Sequence, residues 1–148
     1  MSLYEDDSTH EDGTEITSGN KINFGGASMK GVPSEVYTLH LWNDKNGEAG
    51  SDDAVGPRIS VVNGITDMGI IYAGTDINGN VSMLEARSCG AVGVAADNDS
   101  AWTPISPTAM LQVGDIPSDC MRVIELRMNV PQDATNLALA EFTLRVHV

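Results

Sequence analysis

Hydrophobic and polar positions alternate most regularly near the end of the printed chain. In residues 141–148 every second side chain is apolar, and residues 121–130 repeat the pattern. Because successive side chains of a strand point to opposite faces, each segment predicts a strand with one buried face and one face in water. The turn-forming residues 131–136 between them predict that the two strands pair antiparallel. The predicted core positions are Phe142, Leu144, Val146, Val148, Ile124, Leu126, Met128 and Val130, and the predicted water-facing positions are Val123, Glu125, Arg127 and Asn129.

A second clear strand is predicted over residues 36–42. Its alternation places Tyr37, Leu39 and Leu41 on the core side. Residues 43–47 are a run of turn formers, so we expect the strand to end there.

Shorter apolar runs predict the remaining strands. Residues 58–62 form a short strand and residues 22–24 an edge strand, while residues 68–73 and 81–86 form a hairpin around an Asn-Gly turn. No segment keeps a helical period, and the strands recur about every 10 to 15 residues. We therefore predict an all-β fold, an immunoglobulin-like or jelly-roll-type β-sandwich of about seven to nine antiparallel strands.

Charge separates the start of the chain from the rest. Residues 1–20 contain six carboxylates and neither lysine nor arginine, and their few apolar residues follow no period. Self-repulsion and a lack of surface to bury predict a mobile acidic N-terminal arm over residues 1–20, followed by one β-sandwich domain over residues 21–148. The alternative is an arm that becomes ordered on a neighbouring subunit.

Composition narrows the classes of partner. The chain has 21 acidic and 8 basic residues, which gives a net charge of -13. Because this negative charge repels phosphate backbones, no nucleic-acid partner is expected. No apolar run approaches the roughly 20 residues that cross a bilayer, and no signal-peptide pattern opens the chain, so no membrane partner or export is expected. Cys89 and Cys120 are too few for a disulfide framework, and we expect two free thiols, with a single bridge as the alternative.

Calcium is the best candidate for a small bound ion. Asp76, Asn78 and Asn80 begin like an EF-hand loop, but Val81 and Arg87 occupy the places where that loop needs glycine and glutamate. The EF-hand interpretation fails. The acidic residues within 44–53 and 97–99 leave two alternatives open, namely a looser calcium site or ordinary turns.

Nucleophilic catalysis and zinc binding have weaker signals. Residues 26–30 begin like the Gly-x-Ser-x-Gly elbow of hydrolases, but Lys30 stands at the last position. His10 lies in the acidic arm, and His40 and His147 are predicted on outer strand faces without the buried acidic partner of a catalytic triad. The cysteines and histidines show no zinc-ligand spacing. We therefore expect no catalytic residues, no metal site, no cofactor and no enzymatic activity.

Aromatic side chains allow one further alternative. Tyr37, Trp42, Tyr72 and Trp102 are candidates for a platform on which a carbohydrate stacks. Aromatic residues make up only 5% of the chain, so the core or its rim is the simpler location for these rings.

Several short blocks resemble a known family. They are Ile-Asn-Phe-Gly-Gly at 22–26, the strand and turn at 34–45, Val-Pro-Gln-Asp-Ala at 130–134, and the last strand at 142–146. Their layout resembles small immunoglobulin-like β-sandwich proteins of bacteriophages and prophages, found among tail, baseplate and head-decoration components. The resemblance implies a non-enzymatic virion structural protein, assembled in the bacterial cytoplasm, with itself and other virion subunits as partners. The alternative is a carbohydrate- or calcium-binding β-sandwich module.

The predicted edge strands favour self-association. Residues 36–42 and 141–148 contain few of the lysines or prolines that usually block an exposed strand edge. We expect a homo-oligomer, either a small closed ring or a trimer, although the net charge of -13 restricts contacts to surfaces where carboxylates are sparse.

Overall fold

A computed structural model describes residues 1–7, 9, 11–22, 32–45, 47, 52–62, 84–88, 101–105, 109–129 and 143–148. These residues form nine strands and no helix, so the prediction of an all-β fold is confirmed. The strands are β1 (Ser2–Asp6), β2 (Asp12–Glu15), β3 (Tyr37–Asn43), β4 (Arg58–Val62), β5 (Leu84–Ser88), β6 (Thr103–Pro104), β7 (Leu111–Gln112), β8 (Cys120–Met128) and β9 (Thr143–His147). A search of the same residues finds no helix with the length and hydrophobicity needed to span a membrane.

The strands form two antiparallel sheets, as a β-sandwich requires. The larger sheet has the order β2-β1-β3-β8-β5-β6, and the smaller has the order β7-β4-β9. The central pair, β3 and β8, stays in register over seven residue pairs, from Tyr37 opposite Leu126 to Asn43 opposite Cys120.

The core contains the apolar face of each central strand. Leu39 and Leu41 of β3 and Ile124 and Leu126 of β8 are fully buried, as their alternation predicted. The smaller sheet contributes Ile59 and Val61 of β4, together with the half-buried Leu144 and Val146 of β9. Burying one such side chain contributes about 1.5 to 3 kcal/mol to the stability of the fold. The buried side chains of these alternating strands therefore form the main stabilising layer.

The partner of the last strand differs from the prediction. We expected β9 to pair with β8, but β9 pairs with β4 in the smaller sheet. β8 lies between β3 and β5, so both of its edges are occupied. Alternation determines which face of a strand is buried, but it does not determine the neighbouring strand. The predicted turn at 131–136 lies outside the described residues, and the predicted core residue Val148 is 79% exposed.

The acidic N-terminal segment also differs from the prediction. Instead of an arm without secondary structure, residues 2–15 contain the hairpin β1–β2, which extends the larger sheet through β3. Leu3 is only 8% exposed and packs in the core opposite Leu41. Pairing of β1 with β3 over four residue pairs and the burial of Leu3 hold this segment on the sheet despite the repulsion that composition suggested. The proposed domain boundary at residue 20 stays a prediction.

Other predicted elements have mixed outcomes. The strands at 36–42 and 58–62 are confirmed as β3 and β4, and β5 overlaps the predicted strand at 81–86. The partner strand of that hairpin, at 68–73, lies outside the described residues, as does most of the strand predicted at 22–24. Cys120 is a half-buried free thiol at the start of β8, and Cys89 lies outside the described residues.

Candidate functional site

The outer face of the six-stranded sheet is shielded from water at its centre. Val123 is 1% exposed, His40 is 5% exposed and Glu125 is 6% exposed. Val123 and His40 are cross-strand partners on β8 and β3. The sequence predicted that these positions face water, and that prediction is wrong. Alternation reports the side of the strand that a residue takes, but not whether long neighbouring side chains cover that side.

Four charged side chains and one indole cover the β5–β8 half of this face. We call them the Glu–Arg–Trp cluster: Glu85, Arg87, Trp102, Glu125 and Arg127. Glu85 lies opposite Arg127, and Arg87 lies opposite Glu125. Arg127 Nε donates a hydrogen bond of 2.7 Å to Glu85, and Arg87 Nε donates one to Glu125. The Trp102 ring lies 4.6 Å from the Arg87 guanidinium and 4.2 Å from the Arg127 guanidinium. The cluster is therefore charge-balanced and covered by an aromatic ring.

A sequence signal for this cluster was present but not recognised. Residues 85–87 and residues 125–127 both read Glu-x-Arg. When two such triplets pair antiparallel in register, each glutamate faces an arginine on the same side of the sheet.

The aromatic residues proposed as a carbohydrate platform do not share one surface. Tyr37 is on the core side of β3 and packs against the buried cluster, whereas Trp42 takes the opposite side of the same strand. Trp102 lies on the far half of the sheet and already contacts two guanidinium groups. Tyr72 lies outside the described residues.

A second polar cluster fastens the N-terminal hairpin to β3. We call it the His40 clamp, and it consists of Asp6, Asp12, His40 and Lys45. His40 Nδ1 lies 2.7 Å from Asp12 Oδ1, and His40 Nε2 lies 3.8 Å from Asp6 Oδ1. Lys45 Nζ lies 2.9 Å from the other Asp12 oxygen and 3.9 Å from the centre of the Tyr4 ring. The expectation that His40 lacks a buried acidic partner is therefore wrong, because Asp12 comes from the segment predicted to be an arm.

The clamp changes the protonation of its central carboxylate. Burial alone raises the pKa of Asp12, but interactions with Lys45, Trp42 and His40 outweigh it, so the pKa lies below its ordinary value. The carboxylate is therefore ionised at neutral pH and able to hold the lysine and the histidine together. Because both ring nitrogens of His40 face aspartates, the geometry fits a structural tie better than a general base.

An open depression of about 400 Å³ lies beside the clamp. The charged and aromatic side chains that line it are Glu11, Asp12, His40, Trp42 and Lys45, with Met121 completing the wall. An indole surrounded by hydrogen-bonding groups is a combination that sugar-binding sites use.

The candidate ligands for a loose calcium site, which the sequence left open beside ordinary turns, are not gathered in the described residues. Within them, no group of three or more histidine, cysteine, aspartate or glutamate side chains has a spacing that suits a metal ion. Asp53 of the acidic loop accepts a hydrogen bond of 3.0 Å from the Ser118 backbone N–H. Asp76, Asn78, Asn80 and residues 97–99 lie outside the described part of the chain.

The outer face of the smaller sheet contrasts with both clusters. Arg58 on β4 and Arg145 on β9 are exposed, and the described residues supply neither of them with an ion pair. Arg58 lies opposite His147, and Ser60 lies opposite Arg145, so all four side chains share one face. A hydrogen bond of 2.7 Å between Ser60 Oγ and His147 Nε2 lies between the two arginines. We call Arg58, Ser60, Arg145 and His147 the arginine face.

The arginine face is bounded by a strand edge. Among the described strands, β9 pairs only with β4, so within the described residues its other side is unpaired, and we call that side the β9 edge. Val148 continues this edge and is 79% exposed. Unpaired backbone groups at an edge are a template for another strand or loop. Comparisons with protein-family models, with curated proteins and with solved structures gave no match to this chain.

Proposed function

We propose that the protein is a non-enzymatic structural component of a bacteriophage or prophage virion and acts through contacts with itself and other virion subunits. The sequence resemblance to phage β-sandwich proteins motivates the class of particle. The observation that supports contacts with other subunits is the arginine face beside the β9 edge. Both features are suited to binding a protein surface.

The charge balance of the chain makes the arginine face informative. In a protein with a net charge of -13, carboxylates are abundant enough to neutralise exposed cations. Arg87 and Arg127 do have glutamate partners, whereas Arg58 and Arg145 have no ion-pair partner among the described residues. Exposed pairs contribute only about 0.2 to 1 kcal/mol, so the two arginines orient an incoming acidic partner more than they hold it. Backbone pairing along β9 supplies the remaining attraction.

Particle association tests the proposed function directly. The reading frame is expressed with a tag in its own phage or lysogen, and purified particles are analysed by mass spectrometry. We expect the wild-type chain in particles at a fixed ratio to other virion proteins. Arg58→Glu/Arg145→Glu should be strongly depleted from particles, and Arg58→Lys/Arg145→Lys should be retained. A wild-type chain that never sediments with particles would overturn the proposal.

A carbohydrate-binding module is the second candidate, and the depression beside Trp42 favours it. Glycan-array screening followed by calorimetry tests this function. Saturable binding by the wild type that is lost in Trp42→Ala, but kept in Trp102→Ala, would place a sugar in the depression. An array without signal would remove this candidate and leave the virion proposal untouched.

A further inference from the structure

The N-terminal hairpin provides a surface opposite in charge to the arginine face. β2 is the outermost strand of the larger sheet and, among the described strands, pairs only with β1. Glu11 and Glu15 are exposed there, and no cation among the described residues pairs with either carboxylate. Lys45 of the His40 clamp forms its ion pair with Asp12. Among the described residues, the hairpin therefore presents uncompensated negative charge on the outermost strand.

We propose that the acidic hairpin of one copy docks on the arginine face and β9 edge of a second copy, so that identical chains join head to tail. Glu11 and Glu15 of the first copy then meet Arg58 and Arg145 of the next. This inference rests on the proposed function only in so far as that function requires contacts between subunits. The inference specifies which two surfaces of the chain meet and that the copies join head to tail.

Contacts between like surfaces are disfavoured by the same charges. Two β9 edges brought together antiparallel would place the arginines of both copies close to one another, and two hairpins would place their glutamates together. Like charges across paired strands are destabilising. β2 also has an irregular register with β1 between Tyr4 and Asp6, and bulges and charges are devices that prevent indiscriminate edge pairing. The acidic β2 edge can still pair with a basic edge, because opposite charges attract.

Head-to-tail contact has a geometric consequence. An interface between two different surfaces of the same chain closes into a ring when the rotation between copies permits, and otherwise grows as a filament. Both strands are short, with four residues in β2 and five in β9, so one contact is weak by itself. The contact is also sensitive to salt, because it depends on exposed charges.

Charge reversal with complementation tests the arrangement. Sedimentation velocity is measured at low and high salt for the wild type, Arg58→Glu/Arg145→Glu, and Glu11→Arg/Glu15→Arg. We expect the wild type to form oligomers at low salt, and each double variant to weaken self-association about tenfold or more. A mixture of the two variants should assemble again, because each then offers the other a complementary pair of surfaces. The chain that carries all four changes should also self-associate.

Matched variants keep the outcome interpretable. Glu35→Arg makes one of the same charge reversals at an exposed residue outside the hairpin edge and should leave assembly unchanged, and it is compared with Glu11→Arg and Glu15→Arg as single variants. Circular dichroism confirms that each exposed variant keeps the wild-type fold. A wild type that stays monomeric at every salt level and concentration would overturn the head-to-tail contact, as would a mixture that stays monomeric.

Two further outcomes separate this inference from the proposed function. If the arginine variants alone lose oligomers while the glutamate variants do not, the arginine face binds an acidic surface other than Glu11 and Glu15, and the head-to-tail order is wrong. If the wild type is monomeric but the arginine variants are depleted from virions, a different acidic virion protein occupies the arginine face. That result would overturn self-contact and support the proposed function.

Discussion

The arginine side chains of the two sheets have opposite environments. On the larger sheet, Arg87 and Arg127 are mostly buried, each faces a glutamate, and an indole covers both. On the smaller sheet, Arg58 and Arg145 are exposed and have no carboxylate partner among the described residues. A buried charge requires a partner because its desolvation is unfavourable, whereas an exposed charge keeps its hydration and remains available for another molecule. Arg87 and Arg127 of the larger sheet therefore belong to the fold, whereas Arg58 and Arg145 of the smaller sheet are exposed in the way that the proposed contact requires.

Removing one member of a buried pair should produce the largest effect. Glu125→Ala leaves the Arg87 guanidinium without its carboxylate in a region where the glutamate is 6% exposed. We expect a loss of about 3 to 5 kcal/mol in the free energy of unfolding, because an uncompensated charge stays buried. Urea denaturation measures it. Arg145→Ala serves as the matched control, and an equal loss in both variants would contradict the contrast between the sheets.

Exchanging the charges of one pair should sharpen the same contrast. Glu85→Arg and Arg127→Glu should each destabilise the protein, since each places two like charges opposite one another. The double exchange restores an opposite pair, and we expect a coupling free energy of about 0.5 to 3 kcal/mol from the double-mutant cycle. Urea unfolding of the four proteins gives the value. Additive single effects would mean that the two side chains do not interact across the strands.

The sequence predicts buried apolar positions well, but it does not predict contacts between distant segments of the chain. Leu39, Leu41, Ile124 and Leu126 were predicted correctly because alternation directly encodes the buried face. The pairing of β9 with β4 was missed, since a two-residue period contains no information about the neighbouring strand. The burial of His40 and Glu125 was missed because it depends on partners brought from distant segments, Asp12 and Arg87. The Glu-x-Arg triplets show that part of this information was readable.

Acidification should loosen the hairpin of the larger sheet. The pKa of Asp12 lies below its ordinary value in the folded state, because its interactions with Lys45, Trp42 and His40 outweigh the effect of burial. A carboxylate with a depressed pKa stabilises the fold above its unfolded pKa of about 3.9, and this contribution is lost as pH falls through the folded pKa. We expect lower protection of the amides of β1 and β2, relative to the intrinsic exchange rate at the same pH, at pH values below about 4.

Asp12→Asn is the control for this pH effect. The variant should be less stable than the wild type at neutral pH, because the amide does not provide the charge that Lys45 and His40 require. It should also lose the part of the acid dependence that belongs to this carboxylate. Hydrogen exchange of the hairpin, compared with β8 as an internal reference, provides the measurement. A variant with the full wild-type acid response would show that another group controls the hairpin.

The smallest effect on folding is expected at the arginine face, and there the contrast between the sheets becomes functional. Arg58→Ala/Arg145→Ala removes two exposed side chains that have no ion pair among the described residues, so each change should alter the free energy of unfolding by no more than about 0.5 kcal/mol. Self-association at low salt should nevertheless fall, because the acidic hairpin of the next copy loses its complementary surface. Thermal unfolding of dilute protein measures the first quantity, and sedimentation measures the second. Were the pair to lower stability by several kcal/mol, the arginine face would belong to the fold in the same way as the Glu–Arg–Trp cluster, and its assignment as a docking surface would be wrong.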